Sequence, residues 1–267
     1  MNCCPSSAKI DLSQGAAVPS SIDILLIVSA FLAGAINSVA GGGTFLTFPA
    51  LLATGISPIM ANVTSSVAVF PGSFSSAYAY RNDFKTNTEI YMPAAIVASL
   101  LGGWLGSTVL MHTPQKTFSE LIPWLILGAT LLFAFGKKGG EKLRNHFKLG
   151  KIGTAILFLL IGFYGGYFGA GIGILTLAVM GLLGMSDINK MNGLKTILTG
   201  LMNLAAVTNF LFNTKVYWHG MVIMTVSCII GGYVGAATAR QVPQRVVKAT
   251  VILIGVTLTV YFFVIPA

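Results

Sequence analysis

The chain has 267 residues, of which 55% are hydrophobic and 9% charged, with a mean hydropathy of +0.83. A soluble globular protein carries about 25% charged residues, so this composition excludes a water-soluble domain and reads as an all-α polytopic membrane protein. The formal charge of +9 comes from 16 Lys and Arg against 7 Asp and Glu; the basic residues fall in short loops between apolar runs, as expected for loops facing an anionic leaflet and not for a nucleic-acid surface.

Residues 1–21 read as a disordered tail, rich in Ser and Pro and without the charged start of a signal peptide. Cys3, Cys4 and Cys228 form neither a disulfide framework nor a metal-binding spacing. The first apolar run, 22–40, meets three consecutive glycines, Gly41 to Gly43, and a short apolar piece follows at 44–54. Glycine in a helix costs about 1 kcal/mol relative to alanine, so GAINSVAGGGTFLTFPALL (34–52) reads as a helix that stops and restarts. Unpaired backbone in hydrocarbon is expensive, and such a break is tolerated where protein buries it or where it lines a cavity.

Runs at 58–80, 90–111 and 119–135 complete the first half. The polar stretch GKKGGEKLRNHFKLG (136–150) is the mid-point, and runs at 151–169, 173–183, 188–212, 217–239 and 244–265 follow. The break returns as GFYGGYFGAGIGILTL (162–177), and the halves match at an offset of 128 to 130 residues: Gly41 with Gly169, Gly43 with Gly171, Asn62 with Asn192, and Gly102-Gly103-Trp104 with Gly231-Gly232-Tyr233. The expected organisation is a tail (1–21), a first transmembrane repeat (22–136), a basic cytoplasmic linker (137–150) and a second repeat (151–267). Each repeat holds a Gly-broken helix or re-entrant hairpin plus three spanning helices.

Charge placement selects a topology. If each broken segment crosses once, ten basic residues share the side of the central linker and five the other. If each forms a hairpin entering and leaving by one face, the division is twelve against three, with both termini outside and the halves inverted. The positive-inside bias favours this second arrangement.

No catalytic constellation is present: His112, His146 and His219 are far apart, and the carboxylates lie at segment ends or in loops. GAGIG (169–173) lacks the strand, third glycine and downstream acid of a dinucleotide fingerprint. No metal or cofactor is expected, and no enzymatic activity. Instead, hydroxyls and amides gather near the breaks: Asn37, Ser38 and Thr44, then Asn62, Thr64, Ser65 and Ser66, and in the second half Thr176, Asn192, Lys195, Thr196, Thr199 and Asn203. The set 192, 195, 196, 199 and 203 follows helical spacing and forms one polar face. Such a face also serves interhelical packing. Lys195 is the ionisable side chain well inside an apolar run, at a cost of about 2.5–3.5 kcal/mol for a mid-helix charge; snorkelling of its long stem is the alternative. The helices restarting after Gly42, Gly43 and Gly171 present N–H groups and partial positive charge. Together with Lys195 they suit an anion.

GAINSVAGGGTFLTFPALLATGISPIMANVTSSVAV (34–69), its weaker copy GFYGGYFGAGIGILTLAVMGLLGMSDINKMNGLKT (162–196) and the duplicated hydrophobic profile resemble the sulfite exporter TauE/SafE family. The resemblance covers nearly the whole chain after residue 22. It implies transport of a small sulfur-containing or organic anion, such as sulfite or a sulfonate, across the bacterial or archaeal inner membrane. The second copy lacks the triple glycine and the counterpart of Pro49. The expected mechanism is alternating access with the site between the two breaks, and the expected partners are a small anionic substrate and the lipid bilayer. A channel-like anion pathway, a non-transporting membrane assembly role and a homodimer are left open.

Overall fold

The computed structural model describes residues 20–83, 90–144, 150–185, 187–239 and 244–264. Among the described residues ten α-helices follow the apolar runs: α1 (Ser21–Val39), α2 (Thr44–Leu52), α3 (Pro58–Ala79), α4 (Met92–His112), α5 (Gln115–Arg144), α6 (Lys151–Tyr167), α7 (Ile172–Leu182), α8 (Ile188–Asn213), α9 (Trp218–Thr238) and α10 (Gln244–Val264), with a 3-10 turn at Arg81–Asp83. No strand occurs among the described residues. By length and composition α1, α4, α8 and α9 can each cross a membrane. Helix α5 continues to Arg144, through the first part of the basic stretch expected as a linker at 137–150; residues 145–149 lie outside the described set. So does the expected tail up to residue 19, after which Ser20 and Asp23 cap α1 reciprocally.

The helices begin where the sequence supplies caps. The hydroxyl of Ser57 accepts from the Met60 N–H ahead of Pro58 in the first turn of α3. Asp187 accepts from the Asn189 and Lys190 N–H groups at the start of α8. These caps lie 130 residues apart, the same offset as Asn62 and Asn192.

Helix α1 lies along α9 and α4 along α6; α3 packs on α9, α4 on α8, α3 on α8 and α5 on α10. This set of neighbours is unchanged when α1–α5 are exchanged with α6–α10. Glycines set the closest approaches. A Cβ at Gly106 would collide with the Phe163 carbonyl, one at Gly102 with that of Leu159, and one at Gly166 with that of Gly103. Across the α1–α9 contact, Gly231 meets Phe31 and Gly235 meets Ala35 in the same manner. In both pairs the contacts advance together along the chain, so the helices are parallel. Small residues four apart allow this backbone approach, which stands in for the hydrophobic drive absent in lipid.

Gly106→Ala is therefore expected to lower the melting temperature of the purified protein, because overpacking costs about 1–3 kcal/mol. Gly128 of α5 has open space where its Cβ would be. Gly128→Ala is expected to raise the melting temperature slightly, through the roughly 1 kcal/mol helix preference of alanine. Equal effects would remove the packing explanation.

Candidate functional site

The two chain breaks are built alike at their first ends. Helix α1 closes with the N–H groups of Ala40 and Gly41 both donating to Ile36 O, at 2.8 and 3.1 Å, and Gly41 takes φ +80°. Helix α6 closes with Phe168 and Gly169 both donating to Tyr164 O, at 2.9 and 3.3 Å, and Gly169 takes φ +78°. Left-handed backbone is the reason for glycine at both positions. After the breaks the halves differ: Gly171 is again left-handed at φ +76°, whereas Gly43 is right-handed at φ −58°. Gly43 is small for a different reason. A Cβ there would strike the Ala33 backbone, because α2 folds back along α1.

The breaks meet at the centre of the protein. A Cβ on Gly173 would lie 2.6 Å from Gly41 Cα and 3.3 Å from Lys195 Cδ. Gly171 faces Ala129 of α5 and Phe45 of α2. Helices α3 and α8 pack against each other; the apolar window of α8 is 67% buried against 28% for α1, which makes α8 an interior helix and α1 a peripheral one.

Lys195 is 1% exposed, and among the described residues it is the one buried charged side chain. Its Nζ donates to Asn37 O at 3.0 Å, Ser38 O at 2.9 Å and Asn192 Oδ1 at 3.2 Å. All three partners are neutral oxygens. Two of them are last-turn carbonyls of α1, where orphan acceptors and the negative end of the helix dipole attract a cation. The snorkelling alternative does not describe this lysine, whose stem runs inward past Gly173.

The other half carries the matching link. Asn62, 1% exposed, donates its Nδ2 to Tyr167 O at 3.1 Å, at the end of α6. Each interior helix thus ties down the broken helix of the opposite half. Asn62 Oδ1 is buried without a partner, whereas Asn192 Oδ1, its counterpart, receives Lys195. At the position matching Lys195 stands Ser65, whose hydroxyl pairs with Thr47 Oγ1 at 2.6 Å.

The remaining candidates divide by what their side chains touch. Ser38 Oγ donates to Ala35 O, Thr196 Oγ1 to Gly193 O and Thr199 Oγ1 to Lys195 O, each within its own helix. From Asn37 and Ser38 it is the backbone carbonyl that reaches Lys195. Thr64 Oγ1 accepts from the Tyr217 N–H at 3.1 Å, fixing the loop before α9 against α3; burial, with a smaller contribution from the Asp23 carboxylate, pushes the Tyr217 phenol up. Gly42, Gly43 and Thr44 are buried at the start of α2, and their N–H groups donate to no backbone carbonyl. Thr47, Tyr164 and Tyr167 also hold the breaks in place, through Ser65, Ala170 and Asn62. Tyr164 Oη donates to Ala170 O at 2.8 Å and pins the second break; a tyrosine repeated within a glycine run was the available signal.

Residues 26–262 match the family described as Sulfite exporter TauE/SafE. The chain is 29% identical over 241 residues to "Probable membrane transporter protein ORF9" of a Sinorhizobium species, covering 88% of this chain and 90% of that protein. A "Probable membrane transporter protein" of Haemophilus influenzae is 29% identical over 242 residues, 89% and 94% of the two chains. "Probable membrane transporter protein YfcA" of Escherichia coli K12 is 27% identical over 243 residues, 90% and 89%. No solved structure matches the chain. The family match spans most of the sequence and both broken helices, and the chain belongs to the sulfite exporter TauE/SafE family.

Proposed function

We propose that the protein is an inner-membrane transporter that moves a small anion, sulfite or a sulfonate, by alternating access, with the substrate held where the two chain breaks meet beside Lys195. The observation that carries this reading is the Lys195 ammonium, buried among neutral oxygens. A buried cation without a carboxylate is costly, and a small anion is the counterion that relieves it. The N–H groups of Gly42, Gly43 and Thr44, which donate to no backbone carbonyl, and the dipole of α2 add further donors at the same junction. In the resting arrangement the ammonium caps α1. An arriving anion competes with Asn37 O and Ser38 O for its protons and so frees the end of the broken helix. That couples occupancy to the movement of one half against the other.

Two inverted halves fit this mechanism. Helices α1 and α9 run parallel, as the Asp23–His219 hydrogen bond of 2.9 Å at their starts and the Gly231 and Gly235 contacts indicate. Helices α4, α6 and α8 also run parallel: Gly102 and Gly106 step along α6, while Gly103 meets Met202 and Ser107 meets Asn209 on α8. The end of α8 and the start of α9 are joined by residues 214–217 alone. Helix α6 therefore ends on the side where α1 begins, which supports inversion. The positive-inside bias then puts residues 137–150 in the cytoplasm.

The test is a thermal-shift screen of purified protein against sulfite, thiosulfate, sulfoacetate and simple carboxylates. A cognate anion at about 100 times its Kd stabilises by about 2.7 kcal/mol, a readily measured rise. Asn62→Leu is expected to weaken that rise, because α6 loses its tie to α3. The absence of any anion effect in the wild type would favour a non-transporting assembly role.

A further inference from the structure

An open cleft of about 450 Å³ lies between the last turns of α4 and α8, lined by Trp104, Thr108, Met111, His112, Asn209 and Asn213. It is far along both helices from Lys195 and plays no part in the anion site. Its hydrogen bonds have a fixed direction. The hydroxyls of Ser107 and Thr108 both donate to Trp104 O at 2.8 Å. Each has a single proton, so towards Asn209 they can only accept, and Asn209 Nδ2 donates to both, at 2.9 and 2.8 Å. Asn213 Nδ2 donates in turn to Asn209 O at 2.9 Å and Asn209 Oδ1 at 3.0 Å. His112 Nδ1 lies 2.8 Å from Thr108 O, so Nδ1 carries a proton, and in the neutral imidazole Nε2 keeps its lone pair.

The hydroxyl and amide protons of this cluster are thus all engaged. What the cluster has left for a ligand is acceptors: Asn213 Oδ1 and His112 Nε2. His112 and Asn213 are also the last residues of α4 and α8, so two negative helix ends flank the cleft. Trp104, 46% exposed, offers an aromatic face, the best side chain for a cation. On the same two helices Leu101, Leu105, Leu204, Leu211 and Phe212 are exposed, and the exposed Lys116 and Lys215 follow the helix ends. The positions matching Ser107, Thr108 and Asn209 in the other half are Ala236, Ala237 and Ala79. The polar cluster is therefore confined to one half and is no requirement of the repeat.

We propose that this cleft binds the primary-ammonium headgroup of a phospholipid, with its N–H protons on Asn213 Oδ1 and His112 Nε2 and its acyl chains along the apolar flank of α4 and α8. A trimethylated headgroup has no proton to donate, and a glycerol headgroup has hydroxyl donors without the cation. Both fit less well.

The experiment follows melting temperature of the delipidated protein as phosphatidylethanolamine, phosphatidylcholine or phosphatidylglycerol of one acyl composition is added. Phosphatidylethanolamine is expected to reach half its effect at a concentration roughly tenfold lower than the other two, the worth of one charge-assisted hydrogen bond. Asn213→Leu should abolish that preference; should that variant fail to fold, His112→Phe is expected to reduce it. Equal effects of the three lipids, or a preference unchanged in a folded variant, would overturn the proposal. Free ethanolamine is expected to leave the melting temperature unaltered; an effect as strong as that of the lipid would assign the cleft to a soluble amine and overturn the lipid.

Discussion

Lys195→Met is expected to abolish anion-dependent stabilisation and transport and to lower the melting temperature. Two opposing terms set the stability change. Removing the ammonium strands Asn37 O, Ser38 O and Asn192 Oδ1, and each buried acceptor without a partner costs about 1–3 kcal/mol. The same change removes a buried charge whose insertion at a helix centre costs about 2.5–3.5 kcal/mol. That relief offsets part of the loss. The loss of function is not offset, because an anion loses its counter-charge outright. One charge-assisted hydrogen bond is worth about 1.5–3 kcal/mol, or roughly 10- to 150-fold in affinity. Melting curves with and without anion separate the two effects. A variant that melts far below the wild type, yet still responds to anion, would make Lys195 a structural cap alone.

Gly41→Ala is expected to be the most damaging of the single-methyl substitutions at the breaks. Two penalties coincide there. The left-handed φ of +80° costs an L-residue about 1–2 kcal/mol, and the added methyl would drive into the Gly173 backbone, where overpacking adds about 1–3 kcal/mol. Gly55 supplies the control: its φ is +82° but nothing lies within 4 Å of its added Cβ. Gly55→Ala should show the backbone penalty by itself. The difference between the two melting temperatures then measures the contact between the breaks. If the two variants melt alike, the junction is looser than the Gly41–Gly173 contact implies.

Much of the fold was legible because apolar runs and their punctuation are local signals. Apart from the run at 119–135, each run carries a helix whose ends fall within a few residues of the polar gaps, and Ser57-Pro58 and Asp187 mark the starts of α3 and α8 at the chain level. The end of α5 was not legible in this way. Its helix continues through Lys137 to Arg144, where Lys, Glu and Arg retain good helix propensity although they are polar. At the centre, the periodicity of 192, 195, 196, 199 and 203 announced a polar face, and all five residues are buried. What that face touches depends on the opposite half, 157 residues away in the case of Ser38 and Lys195. Composition carries no signal for such a pairing. The carbonyls of Asn37 and Ser38 were equally hidden, since every residue has a carbonyl and only the chain break leaves these ones unpaired.

The central claim, that a small anion is carried through the junction beside Lys195 by alternating access, is tested most directly by exchange in proteoliposomes. Vesicles holding wild-type protein, preloaded with unlabelled sulfite, should take up labelled sulfite faster than empty vesicles, and vesicles holding Lys195→Met should show neither uptake nor acceleration. Uptake that ignores the preload, or that survives Lys195→Met unchanged, would contradict the account.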